Sequence, residues 1–236
     1  GVSIVAVGFG GANEQTMRAI ASAPSSDFAF FGASMDEVRQ HFASDRLCEL
    51  AASPKAPPPP PSTPAPPGLP PSPPSPSPAP PSPPACVVKL ELVLVLDKSG
   101  SVRAEQSSLL AFAREMVSQF RLDATEGARV GVVEFSSDAA TLTPLTGSLS
   151  DVLTAIDGAS AAGGGTSVSD GLELGRAEVN RGARADVPRT ILLLTDGVQT
   201  VDGNDDTAIA KAAAVKQDGV SIVAVGFGGA NEQTMR

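Results

Sequence analysis

The chain has 236 residues, with 26 acidic against 17 basic side chains for a formal charge of −9, and it contains neither tryptophan nor tyrosine. An acidic balance with no basic patch argues against nucleic acid and anionic membrane surfaces as partners. The longest apolar run, near Val87–Leu96, carries Lys89 and Glu91 and is too short to span a bilayer, so no membrane insertion is expected within this segment.

Residues 1–18, GVSIVAVGFGGANEQTMR, return unchanged as residues 219–236, a period of 218. We read the chain as one period of a tandem repeat. Residues 1–50 are the C-terminal part of one domain, 51–85 a linker, and 86–236 the N-terminal and central part of the next. The native chain is then expected to continue past Arg236. Placing 1–50 after residue 218 assembles a unit of roughly 180 residues, a size that suits a single α/β core.

In chain order, an apolar strand runs into Gly8-Phe9-Gly10-Gly11. That turn lacks the lysine and the full glycine spacing of a phosphate-binding loop and reads as a plain tight turn. A helix over Glu14–Ala23 is stopped by Pro24. Phe28–Phe31 is a short strand, and Met35–Leu50 a helix with Val38, Phe42 and Leu47 on its apolar side. Between Pro54 and Pro84 lie 19 of the 22 prolines, interleaved with Ser and Ala. That composition cannot build a core and predicts polyproline II, about 100 Å long over residues 51–85 if fully extended.

Val87–Asp97 reads as a buried parallel strand ending in a carboxylate. Ala104–Phe120 has helical periodicity, with Leu109, Leu110, Phe112, Ala113, Met116 and Phe120 on one face. Ala128–Phe135 is a strand, and Ala140–Leu145 a shorter one placed at the sheet edge by Pro144. A helix starts at Leu149–Ile156, Gly163–Gly165 is a loop, and Ser167–Asn180 is helical. Thr190–Leu194 is a strand, Asp206–Lys216 an alanine-rich helix, and Val220–Val225 a strand. Alternating strands and helices predict an α/β fold: a doubly wound, mostly parallel sheet with helices on both faces. Such sheets bind ligands at the carboxyl ends of their strands.

Three loops at those ends carry hard oxygen donors: Asp97-Lys98-Ser99-Gly100-Ser101, Gly165-Thr166 and Thr195-Asp196-Gly197. Two carboxylates and three hydroxyls, completed by water, suit an octahedral divalent cation, Mg²⁺ first, with Mn²⁺ or Ca²⁺ as alternatives. The single histidine, His41, lies in the last helix, and no Ser/His/Asp set is present, so no catalytic residues are assigned and a non-enzymatic role is expected.

These motifs resemble the von Willebrand factor A domain with its metal-ion-dependent adhesion site. Asp97, Ser99 and Ser101 match that family's D-x-S-x-S element, Thr166 its separate threonine, and Asp196 its later aspartate. The resemblance implies that Ser99, Ser101 and Thr166 bind the metal by hydroxyl, with Asp97 and Asp196 acting directly or through water. It also implies a doubly wound sheet with one antiparallel edge strand. Cysteines often flank such domains, as Cys48 and Cys86 flank the reassembled unit. We expect each to pair with the adjacent repeat's copy and not with each other, which implies an oxidising compartment; two buried free thiols are the alternative. The Ser-Pro linker resembles hydroxyproline-rich glycoproteins of green algal and plant walls, which implies hydroxylated, glycosylated prolines.

The expected function is an extracellular structural or adhesive repeat protein of a wall, matrix or surface appendage. Its expected partners are neighbouring repeats or chains of the same protein, or a matrix protein or glycan carboxylate bound through the metal. The alternatives are a subunit of an intracellular metal-insertion or ATPase complex, and the ligand-binding region of a surface adhesion receptor.

Overall fold

The computed structural model describes residues 6–9, 14–20, 29–32, 86–195 and 199–226. The expected Met35–Leu50 helix and the 51–85 linker lie outside the described residues.

The elements are β1 (Ala6–Phe9), α1 (Glu14–Ile20), β2 (Ala29–Gly32), β3 (Leu90–Asp97), a 3-10 turn (Ser101–Ala104) and α2 (Gln106–Ser118). They continue with β4 (Ala128–Phe135), β5 (Ala139–Thr146), α3 (Leu149–Asp157), α4 (Val168–Asn180), β6 (Arg189–Thr195), α5 (Asp205–Gln217) and β7 (Val220–Gly226). The expected helix over 104–120 is shorter at both ends than its periodicity suggested: the 3-10 turn takes Ala104, Glu105 is the N-cap, and the helix closes at Ser118 with Gln119 as its C-cap. It buries Leu109, Phe112, Ala113 and Met116 as expected and adds Val117, while Leu110 is only partly covered.

The strands form one seven-stranded sheet in the order β2-β1-β7-β6-β3-β4-β5. All pairs are parallel except β4–β5, where β5 runs antiparallel along the edge with irregular register. Pro144 lies in that edge strand, as expected for a residue with no amide to donate. The centre is β3, all eight of whose residues are buried. It pairs with β4 on one side (Val93 opposite Gly131) and β6 on the other (Val93 opposite Ile191). The chain leaves β3 towards β4 and later leaves β6 in the opposite direction, towards β7. Right-handed crossovers therefore place α2 and α5 on opposite faces, and the switch point falls between β3 and β6.

Helix α4 lies close against the sheet because it is glycine-bearing there. A Cβ on Gly171 would sit 2.8 Å from Phe135 Cδ1, and one on Gly175 would sit 2.8 Å from Val95 Cγ2. Ser167 caps its start by accepting from the Asp170 amide. Helix α5 begins with a capping box between Asn204 and Thr207.

Within the repeated sequence, the described residues of β1 lie beside β7 in parallel, with Ala6 opposite Ala224 and Val7 opposite Val225, each facing its own duplicate.

Cys86 is disulfide-bonded, and Cys48, outside the described residues, is the sequence's one other cysteine. The partner of that bond, and with it the expectation that the two pair apart, lies outside the described residues.

At the amino end of the sheet, Glu91 is fully buried. It accepts from Arg129 Nε (2.8 Å) and Nη2 (2.6 Å), and from the backbone amide (3.0 Å) and Nε (2.8 Å) of Arg184. Burial alone would push its carboxyl up. The hydrogen bonds of Arg129 and Arg184 and the charge of Arg129 outweigh that and hold it below its ordinary value.

Candidate metal centre

The carboxyl ends of β3 and β6 meet at the switch point, where the first two predicted site loops converge beside Thr195, the described first residue of the third. Asp97 ends β3 and is 1% exposed. Its Oδ1 accepts from the Ser99 amide at 2.7 Å and its Oδ2 from Thr195 Oγ1 at 2.5 Å. Both oxygens are therefore oriented by protein donors. Such a carboxylate is fixed in place and well suited to hold a ligated water.

The backbone turn at Ser99 brings its hydroxyl to 3.0 Å from that of Ser101. Two hydroxyls this close present paired oxygens to one point. Ser99 is buried, whereas Ser101 is exposed, so the pair runs from the floor of the site to its rim.

Thr166 stands on the second loop and is 4% exposed. Backbone hydrogen bonds fasten that loop to the first: Gly163 N to Lys98 O at 2.7 Å and Gly100 N to Gly164 O at 3.0 Å. Gly164 takes φ +85°, a conformation open to glycine at no steric cost. On its other side Thr166 is held by Thr200, whose hydroxyl accepts from the Thr166 amide at 2.8 Å and whose amide donates to the Thr166 carbonyl at 2.8 Å. Ser137 Oγ accepts from the Gly165 amide at 2.9 Å, and the Ser136 carbonyl from the Ser167 amide at 2.7 Å.

Asp196 lies outside the described residues. Its described flanks reach both other loops: Thr195 bonds Asp97, and Thr200 bonds Thr166. Gln199 adds a brace, exchanging side-chain hydrogen bonds with the amide and hydroxyl of Ser169 in α4.

Glu134, at the end of β4 and 4% exposed, is a second brace. It accepts from the Ser160 amide (2.8 Å) and hydroxyl (2.9 Å) and pairs with Lys98 Nζ at 3.2 Å. Lys98 sits between Asp97 and Ser99 in sequence. Its ammonium is thereby drawn to Glu134 and neutralised beside the candidate site.

The structure thus brings Asp97, Ser99, Ser101 and Thr166 onto loops bound to one another. Sequence reasoning did not single out Glu134, Ser136, Ser137, Gln199 or Thr200. The available signal was hydroxyl and amide residues at the carboxyl ends of β4 and just past β6. No group of three or more His, Cys, Asp or Glu side chains is placed to hold a metal ion by itself among the described residues. A cation here would rest on hydroxyl oxygens with carboxylate support, a donor set that fits a hard divalent ion.

Fold and site together define an α/β domain built around a loop-borne, oxygen-rich centre. The von Willebrand factor type A domain profile matches residues 91–236, and the chain belongs to that family. It is 32% identical over 155 residues to matrilin-4 of Mus musculus, a match covering 62% of this chain and 24% of that protein. It is 29% identical over 148 residues to the collagen alpha-4(VI) chain of Mus musculus, covering 61% of this chain and 6% of that one. The chain thus spans a quarter or less of these two relatives. Among solved structures, proximal thread matrix protein 1 from the mussel byssus, with a zinc-occupied MIDAS motif, superposes with a TM-score of 0.52 at 21% identity, covering 96% of this chain and 51% of that one. Manganese-loaded TRAP protein of Plasmodium vivax gives 0.51 at 20% identity, covering 61% and 60%. These two share the fold.

Proposed function

We propose that this chain is a non-enzymatic, extracellular adhesive or structural module that uses a divalent cation to bind carboxylates. Asp97, Ser99, Ser101, Thr166 and Asp196 form the coordination set, and Mg²⁺ is the preferred ion. The carrying observation is the paired hydroxyls of Ser99 and Ser101 above a buried, doubly anchored Asp97, on a loop bonded to the one bearing Thr166.

The chemistry follows from the donor set. Neutral hydroxyls leave the cation's charge largely uncompensated, so it remains electrophilic. The exposed rim at Ser101 leaves an approach for a partner's carboxylate, which supplies the missing negative charge. When bound, the metal acts as a charge bridge; the protein's residues hold it, order its waters and keep Lys98 turned to Glu134. The metal states of the mussel and Plasmodium proteins motivate the divalent assignment, and the matrilin and collagen relatives motivate an extracellular matrix setting.

In this reading the domains repeat in tandem, separated by hydroxylated and glycosylated proline rods. Individually weak contacts gain strength from linkage, since a tethered second site sees a raised effective concentration. The partners are neighbouring copies, a matrix protein or an acidic glycan. The test is retention of the chain on an immobilised acidic polysaccharide or carboxylate peptide in Mg²⁺ or Mn²⁺. Retention should be lost in chelator and in Thr166→Ala. Equal retention with and without the ion would refute a metal-bridged contact.

A further inference from the structure

We propose that Arg103 forms a second carboxylate subsite beside the metal centre, so that the ligand is an acidic peptide segment presenting two neighbouring carboxylates, one to the cation and one to this guanidinium. The inference rests on the metal-bridged contact proposed above.

Ser101 opens the 3-10 turn Ser101–Ala104, and Arg103 stands two positions along it. At about 2 Å of rise per residue, the two lie roughly 4 Å apart along the turn's axis. Val102 between them is buried, whereas Ser101 and Arg103 are both exposed. The Arg103 side chain crosses to the second loop, where Nη2 donates to the Ala162 carbonyl at 3.3 Å. A Cβ on Gly163 would sit 4.0 Å from the same nitrogen. Gly163 is the residue whose amide bonds the Lys98 carbonyl. The guanidinium therefore lies at the junction of the two loops that carry Ser101 and Thr166.

Its charge is uncompensated. Arg114, Arg129, Arg176, Arg181 and Arg184 each pair with a carboxylate. Lys98, a second cation at the site, is paired with Glu134. Arg103 forms no ion pair among the described residues, and its hydrogen bond goes to a neutral carbonyl. A guanidinium carries five N–H donors in a planar fork, so most of them stay open to a ligand. Nor is the contact with Ala162 needed to fasten the loop. Gln106 already holds that segment, donating to the Ser160 carbonyl at 2.6 Å and accepting from the Ala162 amide at 3.1 Å. In a chain of charge −9, an exposed and unpaired arginine beside a cation site supplies the local field that an anionic ligand needs.

The two receptors ask for different geometries. The cation takes a carboxylate oxygen at an open coordination position, and the fork takes both oxygens in its own plane. Carboxylates on the flexible stems of Asp or Glu can turn to meet both. In an extended peptide, residues i and i+2 also project to the same side, about 7 Å apart. Carboxyls set directly on the rings of a uronate glycan lack that freedom, so the peptide is the favoured ligand.

The experiment is calorimetric titration of the full chain in Mg²⁺ with three probes: a peptide holding one Asp, the same peptide with Asp-x-Asp, and an oligogalacturonate. The Asp-x-Asp peptide should bind about tenfold tighter than the single-Asp peptide, the scale of one hydrogen-bonded contact between charged groups. Arg103→Gln should erase that ratio and Arg103→Glu should invert it, with Mg²⁺ affinity and melting temperature as in the unsubstituted chain. A ratio no greater than the statistical one for two carboxylates, or a ratio that survives Arg103→Gln, would overturn the subsite. So would a loss of Mg²⁺ affinity in Arg103→Gln, which would make Arg103 a clamp on the loop. Tighter binding of the oligogalacturonate than of either peptide would overturn the choice of a peptide ligand. Failure of all three probes to bind in Mg²⁺, or binding unaltered by chelator, would instead refute the metal-bridged contact itself and the subsite with it.

Discussion

Glu134 and Glu91 are both buried carboxylates, at opposite ends of the sheet and with different consequences. Glu134 ties Ser160 and Lys98 together, so it joins the first candidate loop to the segment that leads into the second. Glu134→Gln should weaken divalent-cation affinity by roughly tenfold, as loss of an outer partner of a metal site commonly does. Calorimetric titration reads this, and an unchanged melting temperature would separate it from unfolding. Glu91 serves stability. Its carboxyl lies below its ordinary value of 4.5, so its contribution is fully present above that pH and is lost as pH falls through the lower, folded value. Acid unfolding should therefore steepen below about pH 4.5. Glu91→Gln leaves Arg129 and Arg184 without their anion and should cost about 3 kcal/mol at neutral pH while flattening that acid limb. Urea melts at several pH values measure both effects.

Helix α4 makes its own demand, because its start carries Ser167, adjacent to Thr166, and its glycines set its distance from β3 and β4. Gly171→Ala would press a methyl into Phe135 and should cost about 1–3 kcal/mol, with loss of cation affinity if the helix lifts away. Thermal melts with and without Mg²⁺ would show both. At this scale much of the fold was legible in the sequence. The unbroken apolar run of β3, the alternation of strand and helix, and Pro144 at an antiparallel edge each carried a local signal that packing then used. The loop motif was legible too, since Asp97, Ser99 and Ser101 follow one another in the chain. What escaped was non-local. Thr200 bonding Thr166, Glu134 bonding Ser160, and the 3-10 turn that shortens α2 depend on which loops the topology brings together, and periodicity contains no record of that. Phe120 also ended outside the helix its apolar face suggested, in an isolated bridge with Cys86.

For the whole molecule, the repeated 18 residues matter most. Within them, Ala6 and Val7 pair in the sheet with their own duplicates, Ala224 and Val225. No helix among the described residues is long and apolar enough to cross a membrane. The central claim is that the three loops form one divalent-cation site. It is tested most directly by calorimetric titration of Mg²⁺ and Mn²⁺ into the chain and its Asp97→Ala variant, with circular dichroism on both. The account predicts one ion bound per chain, binding weakened at least about a hundredfold in the variant, and an unchanged fold. Equal affinity in the two proteins, or no binding by the unsubstituted chain, would contradict it.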